Sequence, residues 1–168
     1  ADGHAEKIAE FARRADECIS VPDSLFKKIS DTENPQGIIA LCKIPKTESV
    51  NIKSDGRYVA LENINDPSNL GAVSRTAEAL GADGLILSAG SCDPYSPKAL
   101  RASMGTLLRM PIFVFGDFPS EMRRCGLKFY ACVPSSAAQS ISDISFLPGW
   151  AVMIGNEANG VTQETKAA

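Results

Sequence analysis

Downstream of position 57, short apolar runs alternate with stretches whose apolar residues recur every three or four positions. The runs 58–61, 84–87, 111–115, 129–133 and 151–154 predict strands, and the stretches near 69–80, 96–104 and 119–125 predict helices. Strands that alternate with helices of this length need right-handed crossovers, so the pattern predicts an α/β fold, a mostly parallel sheet with helices on both faces. In such sheets ligands sit beyond the carboxyl ends of the strands. That directs attention to the loops after Leu61, Leu87, Val133 and Ile154.

Upstream the pattern differs. Ile8, Phe11, Ala12 and Ala15 share one face of a helix expected over 5–18, a second helix is expected over 22–29, and after Asn34-Pro35 an apolar run predicts a strand over 37–42. Two short helices and one strand cannot close a core, so residues 1–43 read as part of a small α/β domain. The polar stretch 44–57 reads as a linker, and 58–168 as the main domain.

Composition narrows the function. Seventeen Lys/Arg against twenty Asp/Glu give a net charge of −3, so a nucleic acid would have to be held by a local patch. With 44% apolar and 22% charged residues and no apolar run of about 20, the expectation is a globular cytoplasmic protein without a membrane partner. Cys18, Cys42, Cys92, Cys125 and Cys132 are scattered without a C-x-x-C pair, which fits reduced thiols and no metal. The single histidine, His4, lies in a polar N-terminal stretch and reads as a surface residue. A mechanism built on a histidine base is therefore disfavoured.

Three segments carry candidate chemistry. In 65–77, Asp66, Ser68 and Asn69 are N-capping types, while Leu70, Val73, Ala77 and Leu80 form an inward helical face that Gly81 ends. Arg75 stands off that face, with Gly71 rather than an acid at i−4. Its side chain leans toward the helix N-terminus and could reach back past Gly71 toward Asn69; the alternative is a solvated arginine. The second segment, Gly155-Asn-Glu-Ala-Asn-Gly160, follows the last apolar run. It lacks the Gly-Lys-Ser/Thr of a phosphate loop, and no G-x-G-x-x-G follows any strand. What remains is a glycine-rich turn offering backbone N–H and C=O groups, with Asn156 and Glu157 near the crevice; a purely structural turn accounts for the glycines equally well. The third is a proline-punctuated loop and helix, 93–105, opening a window from Lys98 to Lys128 with six basic residues against two acids. Lys98, Arg101 and Arg109 are its candidate RNA contacts, the alternative being solvated helix faces.

Together, N-x-x-N-L-G-A-x-x-R-T-A at 65–77, allowing for Asp66-Pro67-Ser68, and G-N-E-x-x-G at 155–160 closely resemble the SpoU class of the SPOUT superfamily, TrmH-like RNA ribose 2′-O-methyltransferases. The stretch 96–105 looks like that family's version, and 22–43 is similar to the end of its small N-terminal substrate-binding domain. The resemblance implies S-adenosylmethionine as cofactor, structured RNA as partner with ribosomal RNA favoured over transfer RNA, a homodimer, and a C-terminal trefoil knot around the cofactor pocket. It also implies that Arg75 is the catalytic arginine, with Asn69 and Glu157 arranging the substrate and neighbouring residues. Gly155, with Ile154 and Asn156, would lie against the methionine end of the cofactor, and Val133-Pro134 would line the adenosine. A guanidinium is a poor base at neutral pH, so Arg75 is expected to stabilise a developing 2′-alkoxide or an adjacent phosphate rather than to take the proton.

Family members continue past the second motif into a third segment that completes the cofactor wall and passes through the knot, whereas this sequence ends at Ala168. The expectation is a fragment with an incomplete pocket and no closed knot. The competing function is an RNA-binding or assembly module of the same fold without turnover. An ordinary dinucleotide-binding enzyme is disfavoured by the absent fingerprint.

Overall fold

The computed structural model describes residues 2–45 and 51–168, which divide into two units between Lys43 and Ile44. The first unit carries helix α1 (Asp2–Arg14) and helix α2 (Asp23–Ile29). None of its residues with described burial is buried, and Leu41 is fully exposed. The strand expected over 37–42 is absent: Gly37 is a bend with φ 82°, and none of the six residues pairs with a strand. A strand exists only where a neighbour takes its backbone hydrogen bonds, and the unit's described residues supply no such edge.

The second unit is a five-stranded sheet, every pairing parallel, in the order β3-β2-β1-β5-β4. Its elements follow the chain as β1 (Arg57–Leu61), α3 (Pro67–Ala79), β2 (Gly84–Ser88), α4 (Pro97–Ser103), β3 (Ile112–Phe115), α5 (Phe118–Arg124), β4 (Lys128–Ala131), β5 (Trp150–Ile154) and a last short helix, α6 (Gln163–Lys166). All five residues of β2 are buried, as a central parallel strand covered on both faces requires. Each crossover helix starts on a side-chain cap with proline in its first turn. Asp66 accepts from Ser68 N, Ser96 from Ala99 N and Asp117 from Ser120 N.

Helices α3 and α4 cover one face, burying Leu70 and Ala99 against Leu61, Leu85 and Leu87. On the other face α5 and the segment around Val161 pack on Tyr58, Ile86 and Met153. α3 and α4 touch at Gly71, where a Cβ would stand 2.5 Å from Cβ of Ala102. Ser74 Oγ shares a buried 2.6 Å hydrogen bond with Thr106 Oγ1 beside that contact.

Two expectations shift in detail. Residues 51–57 are not free linker: Ile52 packs on the core, Lys53 N donates to the Tyr58 hydroxyl at 2.8 Å, and Lys53 Nζ pairs with Asp83 at 2.8 Å. The intervening 46–50 lie outside the described residues. Leu80, expected to face inward, is 77% exposed, because α3 covers β1 but leaves much of β5 open. A groove of about 440 Å³ results, lined by Val73, Ala77, Leu80, Trp150 and Val152.

Candidate active site

The neighbouring strands β1 and β5 send their following connections to opposite faces of the sheet, α3 to one and the segment around Val161 to the other, so a crevice is expected beyond the carboxyl ends of these two strands. The loop after β1 and the turn after β5 meet there. Asn156 Nδ2 donates to the carbonyl of Asn63 at 2.8 Å, and Asn69 Nδ2 donates to Glu157 Oε1 at 3.0 Å. The backbone N–H groups of Asn65 and Asp66 also point at the Glu157 carboxylate, both at 3.4 Å. Asn63 itself takes a left-handed conformation (φ 54°), held because its N–H donates to Ser88 Oγ and its side-chain oxygen accepts from that hydroxyl. The amide of Asn69, followed by the amides of Asn65 and Asp66, holds the Glu157 carboxyl below its ordinary range. Glu157 is therefore an ionised acceptor at neutral pH, not a proton reservoir.

The turn 155–160 closes on itself. Asn156 N donates to Gly160 O at 3.1 Å, Gly160 N to Asn156 O at 2.8 Å, and Asn156 Oδ1 accepts from Ala158 N and Asn159 N at 3.0 and 3.1 Å. These amides are consumed within the turn rather than offered to a ligand, contrary to the sequence expectation. Gly155 is glycine because the chain returns over it: a Cβ there would stand 2.1 Å from the Gly160 carbonyl carbon.

The other expected residues are distributed unevenly. Cys132 N donates to Met153 O at 2.9 Å, which extends the β4–β5 ladder and carries Val133 and Pro134 to the same sheet edge as Ile154 and Gly155. Strand β4 ends at Ala131, short of the expected Val133. Lys98 Nζ binds Oδ1 of Asp66 at 2.9 Å, and that lysine, then the Ser68 amide, keeps the Asp66 carboxyl low. Arg109 forms a two-bond fork with Glu78 at 2.9 and 2.8 Å. Both cations thus bind the α3 segment, while Arg101 is exposed and makes no ion pair among the described residues.

Arg75 does not reach this junction. Six residues beyond Asn69 on α3, it lies about 9 Å further along the axis and roughly 120° around it. It is exposed and has no hydrogen-bond partner among the described residues.

Sequence reasoning missed Glu62. Its side chain is 4% exposed and accepts from Thr162 N at 2.8 Å, Thr162 Oγ1 at 2.7 Å and Thr165 Oγ1 at 2.5 Å. A lone glutamate closing an apolar run looks like a strand's solvated end, and its partners lie 100 and 103 positions away. Cys92, the thiol nearest the junction, is pushed up mainly by burial and then by Glu157 and Asp66, which leaves it a thiol.

The profile of the family described as SpoU rRNA Methylase matches residues 56–168. The chain is 30% identical over 148 residues to the 23S rRNA (guanosine(2553)-2′-O)-methyltransferase RlmP of Bacillus subtilis, covering 86% of this chain and 58% of that protein. Among solved structures it resembles an rRNA methyltransferase from Sinorhizobium meliloti, with TM-score 0.82 and 26% identity, covering 98% of this chain and 66% of that one. The AdoMet-bound form of the Sinorhizobium enzyme superposes with TM-score 0.81 at 27% identity, covering 98% and 65%. The chain thus spans less than two thirds of the length of these relatives.

Proposed function

Since the chain belongs to the SpoU rRNA methylase family, we propose that it acts in S-adenosylmethionine-dependent methyl transfer to a ribose 2′-hydroxyl of structured RNA, with ribosomal RNA the substrate class. The observation that carries this reading is the junction itself. Glu157 and Asn156 join the turn after β5 to the loop after β1 where the two connections part to opposite faces of the sheet. The relatives named above, whose names state rRNA methylation, support the substrate class.

The residues at the sheet edge suit the cofactor. Val133, Pro134 and Ile154 present apolar surface without charge, and Gly155 adds no side chain, a lining suited to an adenosine and a methionine chain. When bound, S-adenosylmethionine supplies a methyl group already activated by its sulfonium, so no cofactor-independent electrophile is required. The protein's share is to set the hydroxyl in line and to stabilise charge as its proton leaves. In this reading Asn69 and Glu157 hold the α3 entry in register. Arg75, free of internal partners, faces outward to an RNA phosphate or a developing alkoxide. Arg101 extends that contact along α4, whereas Lys98 and Arg109 first serve the fold. The first 43 residues are assigned to RNA recognition, and the working state to a cytoplasmic homodimer, as the family likeness suggests. The free cysteines agree with a reducing compartment.

The test is incorporation of tritiated methyl groups from S-adenosylmethionine into ribosomal RNA, followed by alkaline hydrolysis. Label in alkali-resistant dinucleotides is expected. Label in bases, or none, would overturn the proposal.

A further inference from the structure

Glu62 touches both ends of the Gly155–Gly160 turn, with its backbone at one end and its side chain at the other. Its backbone N–H donates to Ile154 O at 3.0 Å, just before the turn, and its carboxylate holds Thr162 N and Thr162 Oγ1, just after it. Thr165 Oγ1 adds a third donor from α6, and Thr162 Oγ1 in turn accepts from Thr165 N, so three protein donors meet the Glu62 carboxyl group.

The two sides of the turn are anchored unequally. Its forward contacts, from Glu157 to the α3 loop, are exposed, and two of the three stand at 3.4 Å, where water competes. Its rear contacts are short, at 2.7 and 2.5 Å, the first part-buried and the second buried. Asn156 Nδ2 on Asn63 O, at 2.8 Å and part-buried, is the one firm forward tie, so the place where Glu157 meets Asn69 is set by that bond together with the rear anchor. Core packing alone would be served as well by an apolar residue, because a buried carboxylate loses its hydration and needs every donor it finds. We propose that Glu62 is a positioning residue: its carboxylate pins the chain just after the turn, at Thr162 and Thr165, so that Asn156 and Glu157 engage the α3 entry loop in the geometry that methyl transfer requires. This rests on the function proposed above.

Amide hydrogen exchange and steady-state turnover on the wild type, Glu62→Ala, Glu62→Gln and Thr162→Val test it. Exchange at the hydrogen-bonded Asn156 and Gly160 amides is expected to quicken at least about tenfold in Glu62→Ala, the loss of one hydrogen bond, and less in Thr162→Val. The Leu85 amide, bonded to Pro111 O in the sheet, should keep its rate. Turnover should fall with KM for RNA unchanged, and Glu62→Gln, which keeps one acceptor oxygen, should recover part of both. Equal quickening at Leu85 in both Glu62→Ala and Thr162→Val, or a loosened turn with undiminished kcat, would overturn the positioning role. If Glu62→Ala does not fold, Thr162→Val decides alone. If the wild type transfers no methyl group, the functional reading fails, and the exchange pattern still decides whether the anchor exists.

Discussion

Asn69 and Glu157 stand 88 positions apart in sequence, yet the amide of one donates to the carboxylate of the other at 3.0 Å. This bond, with the two backbone amides beside it, joins the family's two motifs at the end of the sheet. Because it is exposed, its value is in alignment more than in stability. Glu157→Ala should therefore lower turnover by about a hundredfold, the scale of a misplacement near 1 Å, while the thermal midpoint stays close to wild type. Kinetics and calorimetry on the same sample check the pair of outcomes; a collapse of the fold would show instead that the junction is structural.

Acid should open the same junction. The carboxyl groups of Glu157 and Asp66 are both held low, the first mainly by Asn69 and the second mainly by Lys98. A depressed folded value means that the stabilisation is complete above the unfolded carboxylate values, at about 4, and is lost as pH falls through the lower folded ones. Exchange at the Asn65 and Asp66 amides should thus be flat from neutral pH down to about 5 after correction for intrinsic rates, then quicken below about 4. In Glu157→Gln that acid step should shrink. An unchanged step would assign it to another carboxylate.

The α3–α4 contact makes a sharper demand. A methyl group at position 71 meets Cβ of Ala102 at 2.5 Å and Ser103 N at 2.7 Å, and neither can move without shifting a helix. Gly71→Ala should cost about 1–3 kcal/mol by overpacking, despite the helix propensity that alanine adds. Urea denaturation measures it, and a neutral or stabilising result would mean that the two helices stand further apart than described.

Much of this was legible in the sequence, for identifiable reasons. The parallel sheet followed from apolar runs such as 84–87, because a strand covered on both faces needs no polar positions. The start of α3 was narrowed to the capping types Asp66, Ser68 and Asn69, because caps are local chemistry; Asp66 takes the role and the helix begins at Pro67, two residues before the expected 69. What escaped was set by long-range partners. The strand expected over 37–42 failed for want of a neighbour, Leu80 became exposed because α3 leaves β5 uncovered, and Glu62 gained meaning only from Thr162 and Thr165. Arg75 was expected to reach back over Gly71; it is exposed and makes no hydrogen bond to Asn69 among the described residues, and no local pattern in α3 decides which way so long a side chain turns.

The cations of the third segment can now be separated by what they already bind. Arg109 forks onto Glu78 and Lys98 pairs with the cap of α3, so RNA contact by either competes with an internal bond, whereas Arg75 and Arg101 carry no such bond among the described residues. Phosphate contacts by free guanidiniums release counterions, and each should account for about one in the slope of log affinity against log salt. Arg75→Ala and Arg101→Ala should each weaken RNA binding, flatten that slope by about one and leave the thermal midpoint alone. Only Arg75→Ala should also abolish methyl transfer at saturating RNA. Arg109→Ala should do the reverse, lowering the midpoint slightly and leaving the slope intact, because what it loses is its fork to Glu78. Fluorescence titrations of a ribosomal RNA fragment at several salt concentrations discriminate these cases. A slope that changes with Arg109 and not with Arg101 would move the RNA-facing surface from the exposed side of α4 to the side that α3 already occupies.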